Sequence, residues 1–355
     1  MVGAGEVANG LHLPAWRNVK EAHVVAVCDV NKQRAERIAS HWRIARVCTD
    51  FSELLDEAKD AIVDLCTPPA THATLACKAM QSGHHVVLEK PMALTASDTE
   101  AIYNEYEKRK PQVRLCVIQN FLFEPAILSV KSIVGRRQAD ILSIDIRMLH
   151  TPNDVMISDI GHWSHSLPGG RFGECLIHPV YVLRNLMGAR MRVRDVYAAK
   201  RGSYEWVNYD ELHASFDHGG KFGSIYISFN ASRWTMPMSI RVHTKDMIVD
   251  YDGTNLTCTS QGGLMQGYLP GTRVPKVRIL EDVIGVSSQI LKSAVGNASR
   301  IVTGGWRAGM THEGLFKSFV GSLLRGEQMP YGPEESREAN LLFLETLARL
   351  HNAEF

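Results

Sequence analysis

The chain has 355 residues, 45% of them hydrophobic, enough material for two buried cores. Its 39 basic and 38 acidic residues nearly cancel, which removes the electrostatic reason to expect nucleic acid or an anionic membrane as partner and favours a small molecule. The seven cysteines are scattered with no C-x-x-C pair, no stretch is apolar enough for a membrane span, and the N-terminus lacks a signal-peptide pattern, so a cytoplasmic protein with reduced thiols is expected.

In chain order, residues 24–30 (V-V-A-V-C-D-V) read as a buried parallel strand and 31–40 as the helix that follows it. Residues 61–66 (A-I-V-D-L-C) form the next strand, T-P-P-A-T-H breaks the chain, 73–82 reads as a helix, and 85–88 as another strand. Beyond Pro91 a long helical stretch runs toward Lys110, Pro111 interrupts it, and 113–119 supplies a further strand. Alternating short strands and helices predict a doubly wound parallel sheet, ending near Asn120. We therefore expect a Rossmann domain over 1–119 and a second α/β domain over 120–355.

Past that boundary the texture changes. Residues 141–149, 192–199, 222–229, 239–243 and 247–251 are strand-like with few helices between, which predicts one large, mostly antiparallel open sheet. Two helices, 311–324 and 334–351, close the chain on either side of G-E-Q-M-P-Y-G-P. The stretch 262–304 mixes Gly-rich turns with an apolar piece at 283–295 that could be a helix, and carries no functional assignment.

Gly3, Gly5, Glu6, Val7 and Ala8 fall in a G-x-G-x-x-A pattern: a tight turn, a close approach for pyrophosphate, and a small residue for packing at a helix N-terminus. Asp29 closes the second strand about 20 residues later, where a carboxylate can accept the adenosine ribose hydroxyls. That choice favours NAD, although Lys32 and Arg34 could accommodate the 2′-phosphate of NADP. Only Met1 and Val2 precede the first glycine, so the central strand looks truncated: either the start was assigned late or a short strand is tolerated.

The segment His84-His85-Val86-Val87-Leu88-Glu89-Lys90-Pro91 resembles the Gfo/Idh/MocA family of sugar and inositol dehydrogenases, whose Rossmann strand ends in Glu-Lys-Pro. The resemblance extends to the glycine turn followed by His12, Leu13 and Pro14, to Cys28-Asp29, to Thr67-Pro68-Pro69 with Thr71-His72, and to Asn120 with Pro125. A second signature, G-G-G-x-L-x-D-x-G-x-H-x-x-D, is similar to residues 169–181, with the histidine at His178 but Glu174 and Tyr181 at the two acidic positions. By this resemblance Lys90 is the catalytic lysine.

Oxidation of a secondary alcohol needs a hydride acceptor, a base and a group that stabilises the oxyanion. Lys90 stands at the carboxyl edge of the sheet, where its ammonium could hold the reacting oxygen, with Glu89 orienting it or the nicotinamide ribose. His178 is the natural general base, and Glu174, one turn earlier, shares its face and could polarise it. Tyr181 could donate to a substrate hydroxyl or simply pack. Asn120 is a candidate nicotinamide or substrate contact, and Thr67, Pro68 and His72 are expected on the cofactor side. His162, Trp163 and His165 suit carbohydrate hydroxyls. The same two histidines could instead join His178 and Glu174 around zinc, but the reaction needs no metal and none is expected.

The leading expectation is an NAD(P)-dependent dehydrogenase of a sugar, polyol or glycoside. Two alternatives stay open: a glycoside-cleaving enzyme that oxidises, eliminates and re-reduces, and a non-catalytic dinucleotide sensor. The open sheet of the second domain favours a homodimer or homotetramer.

Overall fold

The computed structural model describes residues 1–57, 61–135, 140–232, 238–260 and 310–351. The stretch 262–304, with its candidate helix at 283–295, lies outside them. Five short parallel strands build the first sheet: β1 (Ala26–Cys28), β2 (Arg46–Cys48), β3 (Ile62–Leu65), β4 (His85–Leu88) and β5 (Leu115–Val117). β1 pairs with β2, and β3, β4 and β5 pair in that order.

The N-terminal residues hold these two groups together. Val2 bridges Cys28 on one side and Leu65 on the other, both in parallel. Val2 N donates to Asp64 O at 2.8 Å and Cys66 N to Val2 O at 2.8 Å, while Gly3 N donates to Cys28 O at 2.8 Å and Cys28 N to Met1 O at 2.9 Å. Three residues thus satisfy the pairing of a central strand, and the resulting order is that of a dinucleotide-binding sheet.

A π-helical turn, Ala8–His12, leads directly into α1 (Leu13–Trp16). α2 (Lys32–Trp42) starts where Asn31 Oδ1 accepts from Arg34 N at 3.0 Å and ends at Arg43 in the left-handed region. α3 (Phe51–Glu57), α4 (His72–Gln81) and α5 (Ala96–Arg109) cover the sheet, α5 capped by Thr95 Oγ1 accepting from Asp98 N at 3.0 Å. Because both faces are covered, the strands read as continuous apolar runs rather than alternating ones.

After α6 (Pro125–Gly135) comes β6 (Ile141–Leu149), then α7 (Val155–Ser158), α8 (Arg171–Cys175) and α9 (Ile177–Met187). The second sheet adds β7 (Arg192–Ala199), β8 (Glu211–His218), β9 (Lys221–Ser228), β10 (Ser239–Thr244), β11 (Met247–Tyr251) and β12 (Leu256–Ser260). Its order is β12-β11-β10-β6-β9-β8-β7, antiparallel throughout except for the parallel pair β6 and β9. Period-two alternation turns Ile144, Ile146, Ala214, Phe216, Ile225, Ile227 and Val242 into a core layer shared with Val180 and Leu183 of α9.

Two final helices, α10 (Met310–Arg325) and α11 (Pro333–His351), return to the first domain. Phe316 of α10 stacks on Trp16 with ring centroids 4.1 Å apart and planes 12° apart, a contact worth about 0.5–1.5 kcal/mol beyond its buried area. Asn340 of α11 donates to Ala93 O at 3.0 Å and Thr99 Oγ1 at 2.8 Å, and Arg337 forks onto Glu100 at 2.6 and 2.8 Å. These clasps bring Thr311 and His312 to the carboxyl edge of the first sheet. No helix among the described residues is long and apolar enough to cross a membrane.

Candidate active site

The cradle begins at Gly3. Its φ of +90° and a Cβ that would meet Cys66 O at 2.3 Å make glycine obligatory there. Gly5 has open space where a Cβ would stand, and Glu6 and Val7 are exposed at the start of the helix. Asp29 Oδ2 accepts from Ala4 N at 2.8 Å and Oδ1 from Asn31 N at 2.8 Å, so the carboxylate ties the glycine turn to the end of β1. Each oxygen retains a lone pair for a ribose hydroxyl. Arg34 reaches within 4.0 Å of it. An open glycine turn at a helix start, flanked by a pinned carboxylate, fits a dinucleotide.

Across the sheet edge, Thr67 Oγ1 pairs with Thr71 Oγ1 at 2.8 Å and Pro68 is exposed. His72 stands behind this edge. It is fully buried, with Nδ1 3.0 Å from Pro91 O and Nε2 3.0 Å from Thr67 O, and so latches the loop after β3 to the loop after β4. Burial lowers its pKa.

Glu89 and Lys90 leave β4 in different directions. The Glu89 carboxylate turns inward: Oε1 lies 2.8 Å from His12 Nε2, and Oε2 accepts from Lys90 N at 2.8 Å. The other nitrogen of His12 meets Asp64 at 3.0 and 3.1 Å, and Trp16 Nε1 donates to Asp64 Oδ2 at 2.6 Å. Burial alone would lower the His12 pKa, but the charge of Asp64 and the hydrogen bonds to Asp64 and Glu89 outweigh it and raise it to about 10. An imidazolium therefore clamps two buried carboxylates, and Glu89, whose burial is outweighed by the bond from His12, stays well below the usual carboxylate range.

His312 Nε2 lies 3.8 Å from Glu89 Oε1. His12, Glu89 and His312 bring three ligand atoms within 4.8 Å of one another, the one such group among the described residues. Both nitrogens of His12 already face carboxylates, so a metal there would have to replace the shared proton.

Lys90 points the other way, into the second domain. Its Nζ donates to Glu174 O at 3.2 Å and to Glu174 Oε1. The opposite oxygen of Glu174 accepts from Arg171, whose guanidinium is 6% exposed, lies 5.3 Å over the ring of Phe229, and comes within 3.7 Å of Asp154. Burial, reinforced by Arg171, lowers the Lys90 pKa to about 8 against the pull of Glu89. The tight turn into α8 rests on Gly173, where a Cβ would meet Pro168 O at 2.2 Å.

Glu174 and His178 sit one turn apart, yet the carboxylate is engaged by Lys90 and Arg171, while the imidazole pairs with Tyr181: Nδ1 is 2.9 Å from the hydroxyl. Burial, with the nearby Lys90 charge, lowers the His178 pKa well below the usual imidazole value, so it is neutral at physiological pH. Tyr181 is 1% exposed and its hydroxyl also meets Phe121 N at 3.1 Å and Asn120 Oδ1 at 3.3 Å. The expected substrate contact at Tyr181 gives way to a place behind His178. The buried amide of Asn120 meets Tyr181 through Oδ1 and Thr311 Oγ1 through Nδ2 at 3.0 Å.

The His162 to His165 segment is a 3₁₀ turn. His162 Nδ1 lies 2.9 Å from Ser164 Oγ and His165 Nε2 lies 3.1 Å from Asp159 O, and among the described residues neither falls in a cluster with His178 and Glu174 that could hold a metal. Trp163 is 47% exposed. Burial, with the charge of Arg171, lowers the His162 pKa.

Sequence reasoning left His12, Asp64, Arg171, Thr311 and His312 without a role. Asp64 carried a usable signal, a charged residue inside an otherwise apolar buried strand. The others become visible only through their partners in space.

Residues 1–116 match the model of the GFO_IDH_MocA family, an oxidoreductase family with an NAD-binding Rossmann fold. D-apiose dehydrogenase of Paraburkholderia graminis is 32% identical over 130 residues, 37% of this chain and 34% of that protein. The scyllo-inositol 2-dehydrogenase (NAD(+)) of Bacillus subtilis is 30% identical over 176 residues, 49% of each chain. The chain thus spans between a third and half of the length of these curated relatives. The crystal structure of the WlbA dehydrogenase from Bordetella pertussis, in complex with NADH and UDP-GlcNAcA, shares the fold with a TM-score of 0.75 over 99% of this chain and 95% of that one, at 19% identity. Residues 1–116 of this chain are thus similar to the NAD-binding Rossmann domain of the Gfo/Idh/MocA oxidoreductases.

Proposed function

We propose that this protein is an NAD-dependent dehydrogenase acting on a secondary hydroxyl of a sugar, polyol or glycoside, or on the corresponding ketone. The observation that carries the reading is the convergence of Lys90, from the carboxyl edge of the first sheet, with Glu174 and a neutral His178 from the second domain. The sugar and inositol dehydrogenases among its relatives support the substrate class. The glycine turn with Asp29 supports NAD over NADP.

The chemistry that NAD supplies when bound is acceptance of a hydride from the carbinol carbon. Lys90 holds the reacting oxygen with its ammonium, which stabilises the developing oxyanion and the product carbonyl. His178 takes the hydroxyl proton on its free ring nitrogen and returns it in the reverse direction. Glu174, anchored by Arg171, aims Lys90, while Glu89 fixes the backbone that carries it. Trp163 and His162 border the cleft where a sugar face and its hydroxyls would lie.

We read residues 1–119 as the cofactor domain and 120–355 as the substrate and assembly domain. The outward face of the second sheet exposes Phe222 (62%) and Tyr197 (54%), which supports pairing with a second copy as a homodimer or homotetramer.

The test is incubation with NAD, and in parallel NADP, across sugars, inositols, sugar acids and glycosides, following reduced nicotinamide absorbance and product mass. Cofactor reduction that disappears in Lys90→Ala and His178→Ala is the expected result. Product formed without net reduction would replace this reading with oxidation, elimination and re-reduction. Cofactor binding without turnover across the panel would leave a sensor.

A further inference from the structure

His178 is neutral, so what it can do depends on which ring nitrogen carries the proton. The hydrogen bonds behind it favour one answer by donor and acceptor accounting. Asn120 Nδ2 donates to Thr311 Oγ1 at 3.0 Å, which turns Asn120 Oδ1 toward Tyr181. The Tyr181 hydroxyl donates its proton to that oxygen at 3.3 Å. The backbone N–H of Phe121 donates to the same hydroxyl oxygen at 3.1 Å, and a backbone amide cannot reverse its role. A phenol has one O–H. With that proton spent on Asn120, the tyrosine oxygen can meet His178 Nδ1, 2.9 Å away, only as an acceptor.

We propose that Tyr181, held by Asn120 and Phe121, is a positioning residue that fixes His178 as the Nδ1–H tautomer and leaves the Nε2 lone pair free toward the cleft. The use of that lone pair as the catalytic base rests on the function proposed above; the tautomer does not. Exposures of 1% for Tyr181, 6% for Asn120 and 7% for His178 keep water from substituting for any of these partners. The Phe121 ring, 4.6 Å from the imidazole at 33°, packs along its face and restrains its rotation. The opposite tautomer would require the Asn120 amide to turn over and the phenol proton to swing onto Nδ1.

The device also accounts for a tyrosine where the resembling signature carries an acid. An ionised carboxylate three residues beyond the histidine would favour the imidazolium as well as accept from Nδ1. A buried phenol accepts the same hydrogen bond without adding charge, and burial pushes its own ionisation well above the usual range.

The experiment is a long-range ¹H–¹⁵N correlation spectrum of the full-length protein labelled with ¹⁵N-histidine, with the His178 signals assigned by their loss in His178→Asn. A pyrrole-type shift at Nδ1 with a pyridine-type shift at Nε2 is expected. In Tyr181→Phe the two shifts should move toward each other as the tautomers mix, and kcat should fall on the order of tenfold with KM little changed. A pyridine-type Nδ1 in the wild type, or a Tyr181→Phe spectrum identical to wild type, would overturn the proposal. The expected spectra with no dehydrogenase turnover on any substrate would sink the functional reading while leaving the tautomer standing.

Discussion

The carboxyl edge of the first sheet and the start of α9 each bury a histidine, and the two are held in opposite charge states. His12 is wedged between Asp64 and Glu89, and its pKa is raised to about 10. His178 is buried too, which lowers its pKa well below the usual value; its polar neighbour is a phenol, and the charge of Lys90 adds to the fall against the pull of Glu89. Burial acts on both in the same direction; the partners decide the sign. One imidazole therefore works as a structural cation that pins Glu89 and, through it, the backbone of Lys90. The other is kept neutral and free to exchange a proton.

Removing each ring should separate these roles. His12→Leu leaves two buried carboxylates without their shared cation and should cost about 3–5 kcal/mol of stability, read by urea denaturation. His178→Leu removes no buried charge, so its stability change should be far smaller, while the dehydrogenase rate should fall about 10²- to 10⁴-fold in kcat with NADH binding retained. Equal destabilisation by the two substitutions would break the comparison.

Titration sharpens it further. The folded pKa of His12 lies above its unfolded value of about 6.5, so its contribution to stability is complete below that pH and is lost as pH rises toward about 10. Denaturation midpoints should decline across that window, by at most about 1.4 kcal/mol per pH unit, and His12→Gln should flatten the decline. On the kinetic side, the Lys90 ammonium is present below about 8 and lost above it. The rate of alcohol oxidation should be level from pH 6.5 to 7.5, since His178 is already neutral there, and fall as Lys90 deprotonates; an alkaline rise would remove Lys90 from the oxyanion role.

The smallest expected effect lies at the glycine turn. Asp29→Asn keeps an acceptor for Ala4 N but removes the charge beside the ribose site. It should raise KM for NAD by no more than about tenfold and narrow the preference against NADP, because one surface-facing hydrogen bond to a charged group is worth about 1.5 kcal/mol. A variant that loses the fold would assign Asp29 to holding the turn alone.

The periodicity of the chain marked most strands of both sheets and the two closing helices, because strand and helix patterns are local and survive without partners. β6, β7 and β11 fall where the apolar alternation predicts them. β2 has three residues, two of them exposed, and β8 buries small Ala214 between Leu212 and Phe216, so neither stands out by pattern. The glycine turn was legible because its chemistry depends on neighbours close in sequence, and Lys90 was singled out by the resemblance of its Glu-Lys-Pro segment. The partners of the buried polar groups were not. Asp64 to His12 spans 52 residues, Lys90 to Glu174 spans 84, and Asn120 to Thr311 spans 191. A hydrogen-bond donor in sequence has no acceptor until the chain folds, so residue types named His178, Tyr181 and Asn120 as candidates, and only the tertiary structure decided that His12 is charged, that His178 is neutral and which groups each of them meets.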